Sequence, residues 1–204
     1  MEEFAELIER KLRGVAALSP DQTAVLGEHC AMLLRWNARL NLTSVKGLAE
    51  IVERHYCESL FLGMHLPAGA WSVADVGSGP GFPGVPLAVL RPECRISLIE
   101  SHQRKAVFLR ESTRRLANVR VMECRAEHIE ERFDWVISRA VAWADLRHIS
   151  AQLAPRAALL TGDIAASEMP EYEWGRRIAL PWGDRRYLWI GQAVSRETGM
   201  ERFT

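Results

Sequence analysis

The chain has 204 residues, 48% apolar and 25% charged, with 26 basic and 26 acidic side chains in balance. That length and mix suit one full α/β domain plus an extension. No apolar run approaches a membrane span, since even Trp182 to Val194 is broken by Asp184, Arg185 and Arg186. Zero net charge gives no general pull towards nucleic acid, so any RNA-binding surface has to be a local patch.

The amino-terminal residues are acidic and amphipathic, unlike a secretory signal, and a cytoplasmic protein is expected. Phe4, Leu7, Ile8, Leu12 and Val15 recur at helical spacing and predict a helix over residues 2–18. Ser19-Pro20-Asp21-Gln22 spells a second helix start: Ser19 caps, Pro20 suits the first turn, and Gln22 completes a capping box. That helix runs towards Arg39, with Trp36 as core, and Asn41-Leu42-Thr43-Ser44 breaks the pattern. Helical spacing resumes from Leu48 to Met64. Residues 1–70 therefore read as a helical extension.

From Trp71 onwards, within the unit 71–204, strands alternate with helices. Candidate strands cover 71–76, 95–100, 119–123, 133–138 and 156–161, with helices at about 83–91, 102–117 and 145–153. This alternation predicts an α/β fold, a Rossmann-like, mostly parallel sheet with helices on both faces. Ile178 to Leu180 and Tyr187 to Ile190 look like a closing antiparallel pair. The four cysteines lack zinc spacing and read as buried or half-buried thiols, so no metal is expected.

The run Asp75-Val76-Gly77-Ser78-Gly79-Pro80-Gly81-Phe82-Pro83-Gly84 joins a predicted strand to a predicted helix. Such a glycine bend makes a nucleotide pocket at the carboxyl edge of a sheet. Gly79-x-Gly81-x-x-Gly84 formally matches the dinucleotide fingerprint, which is weak evidence alone. The other register puts Asp75 at the strand end with Gly77, Gly79 and Gly81 directly after it. A pyrophosphate would be repelled by that carboxylate, whereas S-adenosyl-L-methionine, with its ammonium and sulfonium, would be attracted. Glu100, ending the second strand, could take both ribose hydroxyls of either cofactor. Ala126 and Glu127, after the third strand, are placed to read an adenine edge. Phe82 is expected to lie against the ligand or the following helix, and not in the core.

After the fourth predicted strand comes Val136-Ile137-Ser138-Arg139-Ala140. No D/N-P-P-Y/F motif is present to orient an exocyclic amine, and no Pro-Cys setting to attack a pyrimidine. A guanine N7 fits this gap, because its lone pair is free at neutral pH and needs no general base. No catalytic side chain is assigned. Arg139 is the candidate for holding guanine O6, a phosphate or the cofactor carboxylate. Arg104, Lys105, Arg110, Arg114 and Arg115 are dense but form no clean stripe, and Arg35, Arg39, Asn41 and Lys46 could overhang the pocket.

The segments DVGSGPGFPGVPLAVLRPE, VISRA, RHYCESL and WNARLNLTSV together resemble the RsmG (GidB) family of small-subunit ribosomal RNA guanine-N7 methyltransferases. The resemblance covers roughly residues 30 to 145. It implies a class I methyltransferase fold, S-adenosyl-L-methionine as donor and a guanine in the decoding-region loop of the small-subunit RNA as target; the charge-neutral composition, for its part, predicts that RNA is met within a ribosomal particle. The resemblance also implies cofactor contacts at Gly77, Phe82, Ala126, Glu127 and Arg139. The chain departs from the family's usual residues at Glu58, where an aspartate is common, and at Thr161 and Gln192, where lysines are common on the expected RNA side. Other readings are a methyltransferase on another substrate, suggested by the lost lysines, and an NAD-dependent oxidoreductase, which leaves Asp75 unexplained. A non-catalytic RNA-binding regulator would not need the intact Asp75, Gly77, Gly79 and Gly81.

Overall fold

The computed structural model describes residues 1–194. Helices α1 (Glu2–Leu12) and α2 (Pro20–Leu40) lead into α3 (Leu48–Ile51), a π-helical turn over Val52–Cys57 and α4 (Glu58–His65). The Ser19 capping box forms as spelled: Ser19 Oγ accepts the Gln22 N–H at 3.1 Å, and Gln22 Oε1 accepts the Ser19 N–H at 2.9 Å. The first helix stops at Leu12, short of the expected residue 18. Arg13 turns extended and Gly14 adopts a φ of 79°, which a residue with a Cβ rarely takes, although Val15 still packs on the core.

Seven strands follow: β1 (Ser72–Val76), β2 (Arg95–Ile99), β3 (Val119–Met122), β4 (Trp135–Arg139), β5 (Arg156–Thr161), β6 (Tyr172–Ala179) and β7 (Tyr187–Ala193). Their order is β3-β2-β1-β4-β5-β7-β6. The first five are parallel, and β7 inserts antiparallel between β5 and β6. Helices α5 (Gly84–Leu90), α6 (Gln103–Thr113) and α7 (Trp143–Leu153) connect them. The helix expected over 102–117 thus ends four residues early.

Alternate residues of β1 serve opposite faces. Val73 joins a core that runs through Leu87, Phe108, Tyr56 and the amino-terminal helices, whereas Ala74 and Val76 join a second core with Val136, Trp143 and Leu153. The helices of the first seventy residues therefore share apolar interior with the sheet. Trp36 lies edge-on to Phe108 at 5.6 Å, as a core residue should. Cys30, Cys57 and Cys94 are buried and Cys124 half-buried, all as free thiols.

The chain leaves β1 towards β2 and β3, then returns to place β4 on the other side of β1. The loops after β1 and β4 diverge there and open a crevice at the carboxyl ends of the strands. Helix α5 sits so close to the sheet that a Cβ on Gly84 would lie 2.3 Å from Leu98 Cδ2 and 2.6 Å from Asp75 Oδ2. Gly84→Ala should therefore lower stability by about 1–3 kcal/mol. Urea unfolding checks this, and an unchanged midpoint would show that the helix can shift away freely.

Candidate active-site cleft

The crevice encloses about 500 Å³ between the glycine loop, Glu100, the loop of residues 42–45, the π-helical turn and Arg139 to Val141. The loop is tied to β2 because the N–H groups of Gly77 and Ser78 both donate to Ile99 O, at 3.0 and 3.1 Å. At Gly77 a side chain is excluded twice, by a φ of 72° and by Val141 Cγ2, 2.5 Å from where a Cβ would stand. Gly79 is different: a Cβ there would meet nothing nearer than Gly77 O at 3.9 Å, so the loop presents bare backbone to the cleft.

Asp75 lies directly beneath this bend, but its carboxylate is wholly enclosed and does not line the cleft. Oδ2 accepts the Gly84 N–H at 2.9 Å, while Oδ1 is buried without a partner. Burial, opposed by the Gly84 hydrogen bond, raises its pKa to about 7. The expectation that Asp75 attracts a cationic ligand directly is corrected: it holds strand, loop and helix together. The carboxylate facing the cleft is Glu100, whose Oε2 accepts Gly79 N–H at 2.9 Å and whose Oε1 accepts His102 N–H at 2.7 Å.

Phe82 also departs from expectation. It is buried in the main core, stacked on His55 at 4.7 Å with the planes 17° apart and edge-on to Tyr56 and His29. The loop is tight enough to fold its aromatic ring inward, where the amino-terminal helices supply apolar cover. Phe82 still borders the floor of the cleft through this stack.

Opposite Glu100, the π-helical turn delivers Arg54 and His55, and Glu58 follows where α4 begins. The wide turn hydrogen-bonds the Glu58 N–H to Glu53 O, five residues back. Arg139 Nη1 donates to His55 Nδ1 at 2.7 Å. A guanidinium can only donate, so His55 carries its proton on Nε2 and gives it to Thr43 Oγ1 at 2.7 Å. Burial, then the charges of Arg139 and Arg54, lower the His55 pKa to about 3, so the ring is neutral. Glu58, 2% exposed, pairs with Arg139 Nε at 3.5 Å and with Arg186 from the turn before β7. Burial brings the Arg139 pKa down to about 10, and it stays a cation at neutral pH.

Gly77, Gly79, Phe82, Glu100 and Arg139 are thus brought to one cleft. Ala126 and Glu127 are not. They occupy a short 3₁₀ turn one strand further out, with Ala126 buried and Glu127 exposed, outside the cleft lining. Asn41 is exposed and closes α2 in the left-handed region with a φ of 48°, while its neighbours Leu42 to Val45 line the cleft instead. Of the basic cluster, Lys105 reaches the cleft, whereas Arg110 and Arg115 pair with Glu123 and Glu28. Gln192 pairs in register with Arg156 at the amino end of β5, away from the cleft, so a lost lysine there removes no charge from it. Thr161 ends β5 on the cleft's side of the sheet. Thr43, His55, Glu58 and Arg186 had no role assigned from the sequence. The first three lie in motifs that carried the family resemblance, and nothing in the pattern marked Arg186.

The raised Asp75 pKa has a sign that can be tested. The folded chain holds a proton that the unfolded chain releases near pH 3.8. This contribution to stability is therefore complete below about pH 4 and lost as pH rises through about 7. Asp75→Asn keeps the group neutral, so the ligand-free variant should exceed the parent in stability at pH 8 by about 4 kcal/mol, and by much less at pH 4. Urea titrations at both pH values check it, and parallel pH profiles would refute the buried-proton assignment.

A family model described as rRNA small subunit methyltransferase G (GidB) matches residues 22–161. Ribosomal RNA small subunit methyltransferase G of Xanthomonas campestris pv. campestris (strain B100) is 42% identical over 129 residues, covering 61% of this chain and 60% of that protein. The protein of that name from Stenotrophomonas maltophilia (strain K279a) is 42% identical over 130 residues, 62% of this chain and 58% of that one. The chain thus spans about 60% of the length of the curated relatives it matches. A methyltransferase structure from Pyrococcus furiosus superposes with a TM-score of 0.58 at 14% identity, over 82% of this chain and 96% of that one. That likeness shows the class I methyltransferase fold. Among the described residues no helix is long and apolar enough to cross a membrane, and no group of three His, Cys, Asp or Glu side chains is placed to hold a metal. With most of its length matched by that model, glycine loop and Arg139 included, the chain belongs to the rRNA small subunit methyltransferase G (GidB) family.

Proposed function

We propose that this protein transfers a methyl group from S-adenosyl-L-methionine to N7 of a guanine in small-subunit ribosomal RNA, within a ribosomal particle in the cytoplasm. In this reading residues 1–70 are a helical extension and 71–204 the donor-binding part. The observation that carries it is that, among the described residues, the cleft offers no free general base. His55 has Nδ1 occupied by Arg139 and Nε2 by Thr43, and Glu100 is tied to two backbone N–H groups. Guanine N7 is a nucleophile that loses no proton, so such a cleft suffices for it.

The cleft fits the donor. Its bare backbone at Gly79 allows close approach, and Glu100 retains lone pairs able to accept from ribose hydroxyls. Bound there, the donor supplies an electrophilic methyl on a sulfonium. Glu100 would orient the donor, the glycine loop would offer it backbone at close approach, and buried Phe82 stacked on His55 would help to exclude water from below. Arg139, held at Nη1 by His55 and at Nε by Glu58, keeps its remaining donors in a set direction towards guanine O6 or the donor's carboxylate. Ala126 and Glu127 would bound the adenine at the open end, and Asn41 would sit on the substrate side. This is catalysis by positioning and exclusion of water.

Calorimetry with S-adenosylhomocysteine should show saturable binding and NADH none; the reverse would restore the oxidoreductase reading. Tritiated methyl groups should enter small-subunit RNA at positions cleaved by borohydride and aniline, which report 7-methylguanine. Incorporation elsewhere, or none into particles or free RNA, would reject the assignment. Arg139→Ala should lower turnover about tenfold or more, equivalent to ~1.4 kcal/mol of barrier. Unchanged turnover would remove its positioning role.

A further inference from the structure

We propose that Arg54 and Arg186 form a phosphate subsite on the rim of the cleft, which takes a backbone phosphate of the RNA strand next to the target base. The assignment rests on the RNA methyltransfer reading above and names residues beyond it. Three guanidiniums crowd one side of the cleft: Arg54 and Arg139 line it, and Arg186 joins them through Glu58 and feels the Arg54 charge. Three carboxylates answer them: Glu58 between Arg139 and Arg186, Glu50, which takes Arg54 Nη1 at 2.8 Å, and Glu53, which also acts on Arg186 but is itself offset by Lys11. His55 between them is neutral and adds no negative charge. Arg54 Nε is buried and has no acceptor. The crowding is felt, because the Arg54 charge helps to hold both Arg139 and Arg186 below the ordinary guanidinium range, after burial. Across the cleft Lys105 has no ion-pair partner among the described residues. One positive charge on the arginine wall is therefore left for an outside anion.

Exposure decides which anion. The Arg139 side chain is 14% exposed, while those of Arg186 and Arg54 are 20% and 41% exposed and so more reachable from outside. A strand crossing the mouth meets the outer two first, and a planar guanidinium matches phosphate oxygens in pairs. Turn and hairpin would thus grip the strand while Arg139 serves the reacting base.

The test uses the full chain, purified small-subunit ribosomal RNA in filter binding over a salt series, and S-adenosylhomocysteine in calorimetry. Arg54→Gln should weaken RNA binding at least about fivefold and flatten the log–log salt slope by about 0.7–0.9, the value of one phosphate contact. Arg54→Lys should restore the slope, because charge and not shape sets it, and S-adenosylhomocysteine affinity should stay within about twofold. Arg186→Gln should add a second, similar loss; if it does not fold, Arg54→Gln decides alone. Unchanged RNA affinity and slope in Arg54→Gln would overturn the subsite. Loss of S-adenosylhomocysteine affinity with unaltered RNA binding would overturn it too, assigning the cation to the donor's carboxylate. Binding is read without turnover, so a protein that shows these losses yet transfers no methyl to RNA would reject the proposed function and keep the subsite.

Discussion

A carboxyl group sealed from water either takes up a proton, as Asp75 does, or is paired with cations, and Glu58 follows the second course. At 2% exposure it draws Arg139 from the end of β4 and Arg186 from the turn before β7, regions more than forty residues apart. An ion pair of this kind gains little net stability against an apolar replacement, but loss of one partner leaves a buried charge uncompensated. Its value is positional. Arg139 is held at two of its nitrogens, and His55, pressed between Arg139 and Thr43, transmits the register to the loop that roofs the cleft.

The two walls of the cleft differ in chemistry. One is glycine backbone and Glu100, suited to hydroxyl donors and close approach; the other is arginine, suited to anions. Beneath both runs a buried aromatic layer of Phe82, His55, Tyr56 and His29. His29 is buried, shares a hydrogen bond with Tyr56 Oη across 2.7 Å, and is kept neutral by burial, with a pKa of about 4. The amino-terminal helices thus complete the site from below as well as from the rim.

Asp75 shows how electrostatic reasoning from a sequence can find the right place and assign the wrong task. Its position at the end of a strand before three glycines marked the bend correctly, and Glu100 lies at the end of the neighbouring strand, as its spacing suggested. Period-two alternation, however, turns Asp75 under the bend, where the Gly84 amide and not a ligand meets it. Phe82 illustrates the same limit. Whether a loop aromatic points outward depends on cover supplied from residues 29, 55 and 56, and local spacing carries no record of that.

Local chemistry, then, was sufficient for what is local: the capping box at Ser19, the alternation of strands and helices, the glycine bend, and Arg139 at the end of the fourth strand. These depend on hydrogen-bond partners and periodicities within a few residues of each other. Tertiary structure decided the rest. The π-helical turn, the neutral tautomer of His55, the pairing of Glu58 with two distant arginines, and the removal of Gln192 to the far end of the sheet all follow from which segments meet in space. Burial is set by the whole fold, and burial determines whether a charged side chain faces a ligand, a backbone amide or another charge.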